Sequence, residues 1–163
     1  GALVGLGLPV ARLKRVLATL PLDDWSLRSR KVERHALVGR KVDVRVGGRQ
    51  PHRGWKQIER IVKAGDLEPA VRERALGIFR RLIEAEAEVH GLPAERTHLH
   101  EAGGTDAIID VVGACYGLRS LGIERLVVSR LTTGFGTVRC EHGNYPVPGP
   151  ATLNLLEIGR AHV

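Results

Sequence analysis

Leucine, valine and alanine recur at helical spacing through PVARLKRVLATL, and Pro9 sits where a first helical turn tolerates it, so a helix is predicted over 9–20. The period then shortens to two. In RKVERHALVGRKVDVRVGG, apolar and polar residues alternate through Val42, Val44 and Val46, which predicts two short strands broken at Gly39 and ending at Gly47 and Gly48. Their outward side chains are charged, as on edge strands. HRGWKQIERIVKAG and LEPAVRERALGIFRRLIEAEAEVHG return to the helical period. The second carries Ala75, Leu76, Phe79, Leu82, Ile83 and Ala87 along one stripe, with charged residues opposite and Gly91 as its stop.

After a turn at LPAERT, an extended THLHE meets a glycine pair, and a helix is predicted over 105–121. A strand in ERLVVSRLT, a glycine-rich GFG, a strand in TVRCE and a turn through HGNYPVPGP follow, with a helix starting at Ala151. Pro146, Pro148 and Pro150 fix the extended approach to that helix. No internal repeat or low-complexity linker interrupts the order. The expected fold class is mixed α/β (α+β), a single domain in which a mixed sheet packs against helices.

A chain of 163 residues suffices for one core. It has no run of eighteen uncharged apolar residues and no basic leader before a small-residue cleavage site, so a cytoplasmic protein with no membrane partner is expected. Cys115 falls in an apolar helical run and Cys140 in a strand-like one. Two cysteines so placed make neither a disulfide framework nor a zinc knuckle, and both are expected as reduced thiols. The chain lacks methionine and opens on glycine, which predicts a fragment. EIGRAHV, at 157–163, reads as a translated sequencing adapter, so the expected division is a domain over 1–156 and a non-native tail over 157–163.

Charge is uneven. Residues 11–60 hold fourteen Lys/Arg against five Asp/Glu, a net +9, whereas the whole chain carries +7. Such a face attracts phosphates, nucleotides or nucleic acid, or else is simply solvated. Arginine outnumbers lysine twenty to five, as high-GC coding produces, and two Trp, two Tyr and two Phe offer little for stacking bases. No nucleic-acid partner is expected.

The densest chemistry is HLHEAGGTDAIIDVVG, residues 98–113. Alternation in an extended segment points His98 and His100 to one side, where two nitrogens can meet one ion; nickel, manganese and zinc all accept histidine with carboxylate. The alternative is one histidine bonded to a backbone carbonyl and the other half exposed. Asp106 falls in the first helical turn, where a carboxylate stabilises the helix dipole. Asp110 lies among Ala107, Ile108, Ile109, Val111, Val112, Ala114 and Cys115, which predicts a buried carboxylate in need of a metal, an arginine or helix-terminal amides. The two aspartates, four apart, share a face that Gly113 and Gly117 continue, and with His98, His100 and Glu101 they form a candidate acidic, imidazole-lined site. Such carboxylates would equally suit Mg²⁺ or Mn²⁺ with a nucleotide. Further on, Gly134 and Gly136 leave amides open to an anion without forming a phosphate-loop motif, and a tight turn between strands explains them as well. His142, before Gly143, is a further imidazole that could reach a shared site.

VHGLPAERTHLHEAGGTDAIIDVVGA, GFGTVRCEHGNYPVPGPATLNLL, HRGWKQIERIVKAG and AVRERALGIFRRLIEAEAEVHG together resemble the LarC family of nickel insertion proteins, in the family's order and across about 1–156. The resemblance implies a nickel chelatase, or cyclometallase, of the lyase class. It implies that CTP and a divalent ion, Mn²⁺ or Mg²⁺, are used to place Ni²⁺ in a pyridinium-3,5-bisthiocarboxylic acid mononucleotide. The product would be the nickel-pincer cofactor, the apoenzyme of lactate racemase its recipient, and the protein a homo-oligomer. The family's His-x-His-Glu and two helix aspartates correspond to His98, His100, Glu101, Asp106 and Asp110, and its His-Gly and Pro-x-Pro block to His142, Gly143, Pro146 and Pro148. The resulting expectation places metal on His98, His100 and His142, catalysis on Glu101, Asp106 and Asp110, and substrate on Arg139, Gly134 and Gly136. A non-catalytic nickel metallochaperone module is the alternative. The family's N-terminal glycine- and aspartate-containing segment and its C-terminal domain have no counterpart in this chain, which leaves the fragment's own activity open. Where the family carries a further histidine, this chain has Gly54 or Trp55, which counts against a ligand role for His52.

Overall fold

A 22-residue helix, α4 (Pro69–His90), organises the molecule. Pro69 occupies its first turn, and Gly91 ends it in the left-handed conformation at φ 62°. Its apolar stripe is as the spacing predicts: Val71, Ala75, Phe79, Ile83 and Ala87 are buried, with Leu76 and Leu82 packed beside them. Against this stripe lie α3 (Trp55–Ala64), through Ile58 and Val62, and α5 (Thr105–Ser120), through Ile108, Ile109, Val112 and Cys115. In this computed structural model, residues 1–48, 50–100, 102–140 and 143–160 are described, excepting the side chains of Cys140 and of residues 157–160.

The chain opens with α1 (Ala2–Gly5) and α2 (Val10–Leu17), whose Leu13 and Leu17 enter the same core. Helix α2 is shorter than the predicted 9–20. Thr19 turns back to donate its hydroxyl to the Val16 carbonyl (2.7 Å), and Pro21 disfavours helix at Leu20. Gly113 and Gly117 let α5 approach this end closely: a β-carbon on Gly113 would meet Leu13 and Leu17, and one on Gly117 would meet Leu3 and Leu8.

Strands β1 (Trp25–Arg34) and β2 (Leu37–Val46) form one antiparallel hairpin from Trp25↔Val46 to Arg34↔Leu37. The break comes at His35 and Ala36 (φ 49° and 63°), which supply the positive angles of a tight hairpin turn, whereas Gly39 sits inside β2 opposite Val32. Leu27, Val42 and Val44 root the ribbon in the core; at its far end Leu37 and Val38 are exposed.

The fold class is mixed α/β in one domain, with its sheet component as three separate antiparallel pairs: β1–β2, β3–β4 (Arg53–Gly54 with His98–Leu99) and β5–β6 (Thr137–Cys140 with Gly143–Pro146). Two expectations are corrected here. ERLVVSRLT alternates like a half-buried strand, yet residues 123–135 form no strand, because no described segment lies alongside to complete a ladder, and Leu126, Val127 and Val128 face outward. Within HGNYPVPGP, Gly143–Pro146 is a strand, and the pairing extends to a Val147 N–H bond to the Gly136 carbonyl (2.9 Å). Helix α6 (Pro150–Arg160) closes over α4, and Asn154 donates to Glu88 (3.0 Å). No helix among the described residues is long and apolar enough to cross a membrane.

Candidate metal centre

One helical turn separates Glu86 and His90, so both project from the same face at the end of α4. His90 Nε2 lies 3.3 Å from Glu86 Oε1, and His100 Nδ1 lies 3.5 Å from the same oxygen. A ligand atom from each of the three falls within 4.8 Å of the others, and all three side chains are partly buried, between 20 and 25% exposed. The His52 ring stands edge-on to His100 with centroids 5.1 Å apart, and the His90 ring is 5.7 Å from that of His100.

Backbone pairing delivers His100. The β3–β4 ladder pairs Arg53 with Leu99 and Gly54 with His98, and the buried Leu99 anchors it. Beyond His100 the chain must reverse tightly into α5. A β-carbon on Gly103 would strike the Leu99 carbonyl and the Arg53 amide, so only glycine fits. The Arg53 guanidinium donates to the Gly103 carbonyl (2.8 Å) and to Thr105 Oγ1 (3.2 Å), and burial lowers its pKa from the usual arginine value. The Thr105 N–H donates to Gln50 Oε1 (3.0 Å), which satisfies one of the free amides at the start of α5.

The group opens onto a cavity of about 330 Å³, walled by Leu82 and Val89 of α4, Val138 and Tyr145 of the β5–β6 hairpin, and Pro150 and Thr152 of α6. Cavities of this size suit small ligands. Imidazole nitrogens with one carboxylate favour borderline ions such as nickel, cobalt or zinc over magnesium or calcium, which prefer oxygen.

Of the described residues singled out from sequence, the structure brings only His100 into this group. His98 is exposed, with its ring beside Gly54. Among the described residues His98 does not join His100 in a metal-holding group: the strand ends at Leu99 and the chain bends at His100. Glu101 and His142 lie outside the described residues. Asp106 is exposed in the first turn of α5, its Oδ1 accepting the Ala107 N–H (3.0 Å). Asp110 is exposed, not buried as expected: the helix turns it to the side of exposed Ala114, away from Ile108, Ile109 and Val112. It borders a second cavity with Leu13, Leu17 and Ile109, and partial burial, then the charge of Asp106, raises its pKa. Arg139 is exposed on β5, and Gly134 and Gly136 take φ of 75° and 101° in the approach to that strand. Cys115 is a buried free thiol, its pKa raised chiefly by burial. Sequence reading missed Glu86 and His90. The Glu-x-x-x-His spacing was the available signal.

Two imidazoles and a carboxylate on the wall of a ligand-sized cavity give this α/β domain a group of side chains able to hold a metal ion. Residues 1–162 match the profile of a family described as nickel insertion protein, and the chain belongs to that family. It is 49% identical over 96% of its length to a protein of Citrifermentans bemidjiense and 45% identical over the same share to one of Thermomicrobium roseum, both named, provisionally, nickel insertion protein. It is 44% identical, again over 96%, to a protein of Desulfitobacterium hafniense named pyridinium-3,5-bisthiocarboxylic acid mononucleotide nickel insertion protein. The matches span 41%, 39% and 39% of those relatives, so this chain covers about two fifths of their length. No solved structure matches it.

Proposed function

We propose that this chain receives Ni²⁺ for insertion into a pyridinium-3,5-bisthiocarboxylic acid mononucleotide. The observation that carries the reading is the Glu86–His90–His100 group on the wall of the 330 Å³ cavity: it offers nickel two nitrogens and an oxygen beside space for a small organic molecule. The name of the Desulfitobacterium hafniense relative supplies the substrate. Nickel is cargo here, and the side chains hold it in neutral-imidazole and carboxylate form.

A cyclometallation exchanges a carbon–hydrogen bond for a metal–carbon bond and releases a proton. Among the described residues Glu86 is the carboxylate at the cavity, and the reading gives it that proton; Asp106 and Asp110 are absent from the cavity's lining, and Asp110 borders the other one. Arg139 and the basic ribbon β1–β2 are the proposed contacts for substrate phosphate. The resemblance to LarC proteins supports the finer parts of the reading: CTP with Mn²⁺ or Mg²⁺ as co-substrate, lyase chemistry, a homo-oligomer acting in the cytoplasm, and lactate racemase as the product's recipient.

The test incubates the protein with Ni²⁺ and the mononucleotide, with and without CTP, and follows the nickel-containing product by mass spectrometry. Product that depends on CTP and disappears in a folded His90→Ala/His100→Ala variant is the expected result. Stoichiometric nickel binding with no product under either condition would replace it with a carrier module.

A further inference from the structure

We infer that the ring of Tyr145 is the platform on which the pyridinium ring of the proposed substrate stacks, an inference that rests on the function proposed above. Register supplies the first argument. Tyr145 stands directly opposite Val138 in the β5–β6 pair, and both line the cavity that carries Glu86, His90 and His100. Opposite residues of an antiparallel pair share a face, so one face of the hairpin is turned to the cavity with these two side chains on it. The Val147 N–H bond to the Gly136 carbonyl extends the pairing past Tyr145 and holds that face in place.

Elimination supplies the second. The chain has two Trp, two Tyr and two Phe, all among the described residues. Phe79 is fully buried in the core, and Trp25, Trp55 and Tyr116 pack against that core. The Arg80 guanidinium already lies over the Trp55 ring, 5.3 Å from its centroid. Phe135 is almost wholly exposed and is absent from the cavity's lining. Tyr145, partly buried, is thus the one of the six whose ring is offered to a ligand there.

Chemistry supplies the third. A pyridinium ring is flat, and with its nitrogen bonded to ribose it carries a positive charge that no loss of a proton removes. The face of an aromatic side chain is its negative side and attracts such a cation within about 6 Å of the ring centre, while offset stacking suits two flat rings. The remaining walls, among them Leu82, Val89, Val138 and Pro150, are apolar and hold a ring without competing for its charge. The cavity then treats the parts of the substrate differently: the metal group draws the anionic thiocarboxylates through nickel, and Tyr145 takes the ring between them.

Calorimetry on the full chain tests this with pyridinium-3,5-dicarboxylic acid mononucleotide, the oxygen analogue of the substrate, and with its 1,4-dihydropyridine form, whose ring is uncharged. The native chain is expected to bind the pyridinium form about tenfold more tightly, as a partly desolvated cation–π contact gives. Tyr145→Phe, which keeps the ring and loses the hydroxyl, retains that preference. Tyr145→Leu, with its fold checked by circular dichroism, binds the pyridinium form about tenfold more weakly and prefers neither. Equal binding of the two forms by the native chain, a preference undiminished in folded Tyr145→Leu, or one lost in folded Tyr145→Phe would overturn the role of the ring and leave the proposed function standing. A native chain that binds Ni²⁺ but neither mononucleotide would overturn the inference and the substrate reading together.

Discussion

Arg53 and Gly103, fifty residues apart in sequence, are joined by a 2.8 Å hydrogen bond from guanidinium to carbonyl, and the same guanidinium reaches Thr105. The arginine therefore ties the strand beside His52 to the turn that follows His100. Hydrogen bonds from a charged donor contribute about 1.5–3 kcal/mol, so Arg53→Ala is expected to lower stability by about that amount. Arg53→Lys, whose single ammonium lacks the planar fork, recovers only part of it. A urea midpoint in Arg53→Ala equal to that of the native chain would show that these bonds contribute nothing.

Glu86 is the only carboxylate in the candidate centre among the described residues, and both histidines of that group lie within 3.5 Å of its Oε1. Glu86→Gln removes the charge and nearly preserves the shape. Nickel affinity is expected to fall at least tenfold, or about 1.4 kcal/mol, with helix content unchanged. Calorimetry on the variant reads this directly; undiminished affinity would remove Glu86 from the ligand set.

The Asp110 carboxyl is held above its ordinary 3.8, first by burial and then by the Asp106 charge. The folded protein then binds this proton more tightly than the unfolded chain does. The effect on stability is nil below 3.8, and as pH climbs from there through the raised value the ionised group increasingly destabilises the fold. Asp110→Asn should therefore change little in strong acid and gain progressively on the native chain towards neutrality. Paired thermal melts across that range provide the check, and a constant difference at every pH would contradict it.

Helix α4 was legible because its buried stripe and its glycine stop are local properties, read from spacing alone. The metal group was not. Glu86 and His90 sit in a run of charge, EAEAEVH, that looks like a solvated helix face, and only the return of the chain through β3 and β4 turns that face towards His52 and His100. Asp110 was misread for a related reason: apolar neighbours in sequence surround a helical residue without lying on its side of the helix. In ERLVVSRLT the alternation was real, but a strand also needs a neighbour, which no pattern within the segment can reveal. The hairpin break at His35 and Ala36 lacks the glycine or asparagine that usually marks such a turn, so Gly39 drew the prediction instead.

The stretch after α5 bears on how the chain responds to temperature. Leu126, Val127, Val128, Leu131 and Phe135 are 62 to 96% exposed in the folded protein, so their apolar surface is already hydrated before unfolding begins. Heat capacity rises on unfolding in proportion to apolar area newly wetted, ordinarily about 12–15 cal/mol/K per residue. These residues add almost nothing to that increment. A buried stretch of the same composition would curve the stability profile with temperature more strongly than this one does.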